Sequence, residues 1–340
     1  MTSQGSVPTA AHPAATSSLL EIRGLEATFP RRGSDVHALR CVDLSVAAGS
    51  TLCLLGESGS GKSLTLKAIL GLLPRGTAVS GRILFEGIDL LKAPPGVIAQ
   101  VRGGAIGMIF QEPMTAFDPV FTIGHQIAET IVRHEGVEWR AAEVRAKELL
   151  ERVAIPAAKR RLANYPHEIS GGMRQRAMIA LALACNPKLL LADEPTTALD
   201  VTVQIQILLL LRQLQEEIGM TMVFVTHDIG VAAEISDNVA VMYAGRIVER
   251  GSSVETILSP RHPYTQAMLA STVHGGMKGR DLVVLPGAPP DPESLIAGCA
   301  FAPRCSHREE ACERGDIALM PAQGHAVRCL QAGAEEVAGG

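Results

Sequence analysis

The sequence predicts an α/β protein whose core is a parallel β-sheet. Residues 51–55 form a short apolar run that leads, through a glycine-rich turn, into apolar positions at helical spacing that end at Pro74. Three later runs have the continuous apolar character of strands covered on both faces, and a helical segment at about 203–215 separates the first two. These runs are residues 188–192, 221–225 and 239–242. Since strands alternate with helices, we expect a parallel sheet.

Further regions surround this core. Between residues 19 and 89, short β-type runs alternate with turn signals, which predicts a flanking antiparallel sheet. A charged helical pattern predicts a helical subdomain inserted at about 112–168. Proline and glycine then become frequent, so we expect one domain at 19–258 and a separate, cysteine-containing extension at 259–340. Residues 1–18 are rich in Ala, Ser, Thr and Pro, and we expect a disordered tail there.

Composition argues against several classes of protein. The 340-residue chain has a net charge of −4, so it lacks the basic field that holds a nucleic acid. Its apolar stretches are far shorter than the roughly 20 residues that cross a bilayer. The N-terminal segment lacks the apolar centre of a secretory signal. We therefore expect a reducing compartment, in which the seven cysteines are free thiols or metal ligands rather than disulfides.

The glycine-rich turn matches a phosphate-binding loop, the P-loop. Its residues are Gly56, Glu57, Ser58, Gly59, Ser60, Gly61, Lys62 and Ser63, followed by Leu64 in the predicted helix. In such a loop, backbone N–H groups and the helix N-terminus face phosphate oxygens. Lys62 is predicted to reach the β- and γ-phosphates of a nucleotide, and Ser63 to bind Mg²⁺. The strand and helix on either side disfavour the alternative of an ordinary glycine-rich turn.

Two adjacent acidic residues, Asp193 and Glu194, follow the apolar run at 188–192. Since parallel strands end at one edge of a sheet, we expect both carboxylates beside the P-loop. Asp193 is predicted to hold the Mg²⁺ shell, and Glu194 to polarise the attacking water as general base. The ordinary alternative, a charged turn after a strand, is disfavoured by the P-loop.

A third motif opens a predicted helix, where hydroxyl and N–H groups can face an anion. It is Ser170-Gly171-Gly172-Met173-Arg174-Gln175-Arg176. Together with the two preceding motifs, it resembles the signature segment of the ATP-binding cassette ATPases, and the resemblance runs from about residue 19 to 258. The resemblance implies ATP and Mg²⁺ as cofactors. It also implies that two cassettes stack head to tail, so that the signature segment of one contacts the nucleotide held by the other.

The same resemblance implies roles for residues that spacing alone does not reveal. Gln111 resembles the glutamine that faces Mg²⁺ and the attacking water. Asp200 belongs to a segment similar to the loop that crosses between two cassettes, and His227 resembles the histidine that contacts the γ-phosphate. Phe29 is the candidate for the aromatic residue that stacks on adenine.

Several other segments resemble the dipeptide, oligopeptide and nickel importers in particular. They are residues 110–115, 165–168, 193–201, 262–265, 285–290 and 298–305. The resemblance implies an ATPase that energises peptide import at the cytoplasmic face of the membrane. Its implied partners are a second cassette ATPase in a heterodimer, two permeases and an external substrate-binding protein. A nickel chelate or glutathione-like peptide remains an alternative cargo. The single cassette and short insertion disfavour the other class, soluble cassette ATPases of translation or repair.

Four cysteines cluster in the extension with the spacing Cys-x5-Cys-x6-Cys-x16-Cys. They are Cys299, Cys305, Cys312 and Cys329. The spacing lacks the close pairs of most structural zinc sites, and a proline-rich segment without apolar periodicity needs a staple to fold. Four thiolates at varied spacing can ligate an iron–sulfur cluster, and some of the peptide-import ATPases that the chain resembles carry one. We therefore predict a [4Fe-4S] cluster, with zinc or unligated thiols as alternatives. The other cysteines, Cys41, Cys53 and Cys185, are expected in the core.

Overall fold

The structure is a computed structural model that describes residues 18–31, 34–197, 199–271, 285–291, 293–294, 296–322 and 325–332. The predicted N-terminal tail lies outside these residues, except for Ser18, which begins the first strand. Within the described ranges, every helix is too short or too polar to cross a membrane.

The N-terminal part combines an antiparallel sheet with the first elements of the main sheet. In chain order its elements are β1 (Ser18–Phe29), β2 (Val36–Ala47), β3 (Thr51–Leu55), α1 (Lys62–Ile69), β4 (Ala78–Phe85), β5 (Ile88–Asp89), α2 (Pro95–Val101) and β6 (Ile106–Ile109). The antiparallel sheet has the strand order β2-β1-β4-β5, as expected for residues 19–89.

Helices follow β6 where the inserted subdomain was expected. They are α3 (Pro113–Ala116), α4 (Ile123–Glu135), α5 (Trp139–Arg152) and α6 (Ala158–Arg161), and α7 (Gly171–Ala182) begins just after the expected range. The side chain of Thr122 caps α4 by accepting a hydrogen bond from the backbone N–H of His125, and Gly136 ends the helix with a left-handed φ of 66°.

In the described part of the chain, the main sheet has eight strands in the order β11-β12-β10-β9-β3-β8-β7-β6. Its remaining elements are β7 (Leu189–Asp193), α8 (Val201–Ile218), β8 (Thr221–Thr226), α9 (Ile229–Ile235), β9 (Asn238–Tyr243), β10 (Arg246–Ser252), α10 (Ser253–Leu258), α11 (Pro263–Ala270), β11 (Met320–Ala322) and β12 (His325–Val327). Strands β9, β3, β8, β7 and β6 pair in parallel, so their carboxyl ends meet at one edge. The predicted α/β fold class is confirmed.

The main sheet is buried on both faces. In β3, Cys53 and Leu55 pack with the helices of the inserted region, whereas Leu52 and Leu54 pack with the antiparallel sheet and α1. This explains the unbroken apolar runs in the sequence, because a strand covered on both faces has no polar side.

The C-terminal extension continues this sheet instead of following it as a separate unit. Strand β12 pairs antiparallel with β10, with Val327 opposite Glu249. Tyr264 and Phe301 are fully or almost fully buried and belong to the main core. The sequence did not predict this junction, because strands of three residues show no readable periodicity.

Of the three cysteines expected in the core, Cys53 is buried and Cys185 is partly buried. The expectation for Cys41 is wrong, since its side chain is exposed. Cys41 has a left-handed φ of 52°, and the flanking Leu39 and Val42 are both buried. An irregularity in the strand therefore interrupts the alternation and turns the thiol to solvent.

Candidate functional site

The predicted P-loop connects β3 to α1 in the middle of the main sheet, where β3 lies between β8 and β9. Two glycines allow a very close approach of neighbouring atoms. Gly56 has a φ of 155°, and an added Cβ would lie 2.2 Å from the carbonyl oxygen of Met242. Gly61 has a φ of 107°, and its Cβ would lie 2.8 Å from Cε of the same methionine. The loop path therefore requires glycine at both positions.

Lys62 is folded back into this loop. Its Nζ donates hydrogen bonds to the carbonyl oxygens of Gly56, at 2.8 Å, and Glu57, at 2.9 Å. The residue is only 4% exposed, and burial lowers the pKa of Lys62, while the charges of Glu194 and Asp193 oppose that shift. Neutral carbonyls do not balance a buried ammonium, so the loop favours an anionic ligand such as phosphate.

Ser63 and Asp193 meet across the sheet edge. Asp193 is the last residue of β7, and the Ser63 hydroxyl donates to its Oδ1 at 2.7 Å. Burial raises the pKa of Asp193, and the hydrogen bond from Ser63 opposes the shift. The pair presents two hard oxygen donors beside the loop, which is the donor chemistry that Mg²⁺ prefers.

Three residues converge on the carboxylate of Glu194, two of them, Gln111 and His227, from distant parts of the sequence. Thr197 Oγ1 donates to Glu194 Oε2 at 2.9 Å, and Gln111 Nε2 lies 3.5 Å from the same oxygen. His227 Nδ1 lies 3.3 Å from it. Glu194 itself has a left-handed φ of 44°, a strained conformation for a residue with a side chain. The structure thus places the predicted base, glutamine and histidine together at the strand ends.

The remaining predicted site residues lie elsewhere. Ser170 caps α7 and accepts from the backbone N–H of Met173 at 3.4 Å, with Gly171 and Gly172 as the first residues of that helix. Within the described ranges, no hydrogen bond or ion pair joins this segment to the P-loop.

Asp200 caps α8 and accepts from the backbone N–H of Val203 at 2.9 Å. Its neighbour Ala198 lies outside the described residues. Phe29 ends β1 opposite Val36 and stays partly exposed. Both residues remain candidates on the resemblance alone.

Two family profiles match the chain. The profile of the ABC transporter family matches residues 39–197, and that of the oligopeptide/dipeptide transporter C-terminal region matches residues 248–312. A putative peptide import ATP-binding protein of Brucella melitensis is 49% identical over 327 residues, which cover 92% of this chain and 97% of the relative. The chain is an ATP-binding cassette transporter ATPase.

Other relatives of this cassette belong to the same family. The oligopeptide transport ATP-binding protein OppD of Bacillus subtilis is 50% identical, over 85% of this chain and 82% of its own length. The dipeptide transport protein DppD of the same organism is 42% identical, over 92% and 94%. Among solved structures, the ATP-binding cassette MJ0796, described as a dimer bound to ADP and Pi, has a TM-score of 0.62 and 29% identity. The match covers 69% of this chain and 98% of the MJ0796 chain.

The C-terminal extension of the cassette also reaches the P-loop, at Glu57. Tyr264 OH accepts a hydrogen bond from the backbone N–H of Glu57 at 2.9 Å, and Arg304 forms an ion pair with its carboxylate. Residues 262–265 stand out in the sequence by their resemblance to importer ATPases. Arg304 lies in the segment 298–305, which shares that resemblance, but its pairing with Glu57, 247 residues away, has no signal in the sequence.

The four cysteines of the extension line one small cavity, of about 20 Å³. Cys299, Cys305, Cys312 and Cys329 share it with His262 and Phe301 among others. Burial raises the pKa of Cys299, Cys305 and Cys329, so these thiols stay protonated near neutral pH. The structure therefore brings together all four predicted ligands.

The arrangement is nevertheless not that of a formed metal site. In the described part of the chain, no set of three or more His, Cys, Asp or Glu side chains is placed to hold a metal ion. The volume suits about one water molecule, so a polynuclear cluster requires the cysteines to move apart. The predicted iron–sulfur cluster lacks support here and stays a prediction.

Proposed function

We propose that this cassette ATPase energises the import of peptides through a membrane permease complex. The observation that carries the proposal is that the chain continues from the cassette into a C-terminal region matched by the oligopeptide/dipeptide transporter profile. Its relatives include putative peptide import, oligopeptide transport and dipeptide transport proteins, which support the same cargo class.

The site residues have complementary roles in this proposal. Lys62 binds the β- and γ-phosphates of ATP, as its buried ammonium among loop carbonyls favours. Ser63 and Asp193 would hold Mg²⁺ with Gln111 nearby, and the ion would neutralise charge that develops on the phosphates. Glu194 accepts the proton of the attacking water, and His227, beside its carboxylate, contacts the γ-phosphate.

The signature residues complete a site on a second cassette. Ser170, Gly171 and Gly172 lie at the N-terminus of α7, where a helix favours a phosphate, and this segment shares no hydrogen bond with the described P-loop of its own chain. Asp200 belongs to the loop between the two cassettes. ATP then holds the pair together, and hydrolysis releases it.

The isolated chain is therefore expected to bind Mg·ATP but to hydrolyse it slowly. The steady-state rate of ATP hydrolysis per chain should rise with cassette concentration, because each site needs a second subunit. It should rise further in the membrane complex. Rapid turnover that is independent of concentration, by a chain shown to be monomeric, would contradict this part of the proposal.

Partners and cargo are tested together. The chain is proposed to lie at the cytoplasmic face of the membrane. Affinity purification from solubilised membranes, followed by mass spectrometry, should recover with it a second cassette ATPase, two permeases and an external substrate-binding protein. The purified complex, reconstituted in vesicles, should take up labelled di- and oligopeptides in an ATP-dependent way. Uptake of a nickel chelate but of no peptide would overturn the proposed cargo.

We further propose that the four cysteines of the extension bind a [4Fe-4S] cluster with a structural role. Their convergence on one cavity, from separate segments of the extension, supports a shared ligand. Because three of these thiols are protonated in the folded chain, binding must release protons.

Protein purified without oxygen is expected to be brown and to hold about four irons per chain. Cys312→Ser should lose most of the iron, whereas Cys41→Ser, a control at an exposed thiol outside the cavity, should retain it. A colourless wild-type protein with bound zinc, or with four readily alkylated thiols, would rule the cluster out.

A further inference from the structure

An arginine of the C-terminal extension is buried against the P-loop. Arg304 Nη1 donates to Glu57 Oε2 at 2.8 Å, and Nη2 donates to Glu57 Oε1 at 3.0 Å. The Arg304 side chain is 5% exposed. This is the bidentate arrangement in which a guanidinium holds a carboxylate most firmly, and its burial shields it from salt.

The guanidinium is fixed on its other sides as well. Its Nε donates to the carbonyl oxygen of Pro286 at 2.8 Å, and Nη1 also donates to Tyr243 OH at 3.1 Å. It lies over the rings of Tyr243 and Phe301, 5.8 Å from each centroid. The hydrogen bonds that Arg304 donates to Glu57 raise the already high pKa of the guanidinium, so its charge is permanent. Arg304 is thus a rigid anchor, with little rotamer freedom left to lose.

Glu57 connects this anchor to the lysine of the loop. Its carboxylate is held by Arg304, its backbone N–H donates to Tyr264 OH at 2.9 Å, and its carbonyl accepts from Lys62 Nζ at 2.9 Å. Both Arg304 and Tyr264 come from outside the part of the chain that the ABC transporter profile matches. The extension therefore sets the orientation of a peptide unit that Lys62 contacts directly.

We propose that Arg304 is a positioning residue that sets nucleotide affinity by fixing Glu57 and, through it, the P-loop. The loop N–H groups and Lys62 must converge on the phosphates, and a loop that is already in shape loses less entropy when ATP binds. Arg304 touches neither Lys62 nor Glu194, so it acts on binding and not on the hydrolytic step. The inference rests on ATP binding alone and is independent of the cargo.

The experiment measures the Kd of Mg·ADP for the full-length chain by calorimetry. Arg304→Ala is expected to weaken binding about tenfold or more, because the nucleotide must then order a loop that Arg304 no longer holds in shape. Arg304→Lys should be intermediate, because an ammonium cannot form the bidentate pair. The matched control, Arg308→Ala, removes an exposed arginine of the same segment that pairs with Glu313, and it should bind within about twofold of wild type.

Glu57→Gln, alone and combined with Arg304→Ala, distinguishes an effect of Arg304 on loop position from an effect on folding. Glu57→Gln keeps the shape of its side chain and should weaken binding as Arg304→Ala does, and adding Arg304→Ala to it should cost little more. In the assembled ATPase, Arg304→Ala should raise the KM for ATP while kcat stays within about twofold.

Wild-type affinity in a folded Arg304→Ala protein would overturn the proposal. If Arg304→Ala does not fold, wild-type affinity in Glu57→Gln would also overturn the proposal. Wild-type protein that binds no nucleotide would instead refute the proposed function, so the two failures are distinguishable.

Discussion

Glu194→Gln is expected to reduce ATP hydrolysis in the assembled complex by at least about 10²-fold while leaving ATP binding nearly unchanged. Glutamine keeps the size and the hydrogen-bonding oxygen of the side chain but removes the base that accepts a proton from water. Lys62, Ser63 and Asp193 remain in place, so the phosphate and Mg²⁺ contacts should persist.

The surroundings of Glu194 explain why the effect should be large. Its carboxylate is held by Thr197 at 2.9 Å and lies next to Gln111 and His227, on a backbone with a strained φ of 44°. Backbone strain of roughly 1–3 kcal/mol persists only where surrounding contacts hold the residue in place, and strained residues cluster at active sites. The carboxylate is therefore oriented before the nucleotide arrives.

The measurement compares phosphate release and nucleotide affinity for the same preparation. Glu112→Gln is the matched control, because this exposed acid adjoins Gln111 without touching Glu194. It should hydrolyse ATP at about the wild-type rate. If Glu194→Gln also hydrolyses at that rate in the complex, Glu194 is not the base.

Local motifs made much of the fold and site predictable. The strand at residues 221–225 and the P-loop could be located because burial on both faces leaves a continuous apolar run, and because phosphate binding demands glycine at fixed positions. The convergence of Gln111, Glu194 and His227 was expected only through the family resemblance. Spacing says little about which loops meet at a sheet edge.

Long-range features of the extension could not be read from the sequence. Arg304 lies in a segment without periodicity, and its pairing with Glu57 depends on a fold that spans 247 residues. The two strands that extend the main sheet have three residues each. Cys41 was expected in the core because its strand context is apolar, but a left-handed residue at this position interrupts the alternation of the strand and exposes the thiol. For Arg304 and for these two strands the deciding contact is tertiary, and no local pattern encodes it.

Lys62→Met is expected to weaken ATP binding by about 30-fold to several thousand-fold. ATP hydrolysis should be lost at ATP concentrations well below the new Kd. Methionine preserves most of the volume of the buried side chain, so the loop should keep its packing. What is lost is a charged partner for the phosphates, and truncating one partner of a buried charge pair costs about 2–5 kcal/mol, at about 1.4 kcal/mol per tenfold.

The thermal stability of the nucleotide-free protein should not fall with Lys62→Met. Without nucleotide, Lys62 is a buried ammonium whose pKa is lowered by burial, so its charge is held at a cost in the folded state. Removing it should leave the thermal stability of the nucleotide-free chain unchanged or slightly higher, while abolishing the stabilisation that ATP gives wild type. Lys188→Met, at an exposed lysine paired with Glu86, is the control and should retain that stabilisation. If Lys62→Met still gains the wild-type shift in Tm from saturating ATP, the lysine does not hold the phosphates, because the shift reports affinity directly.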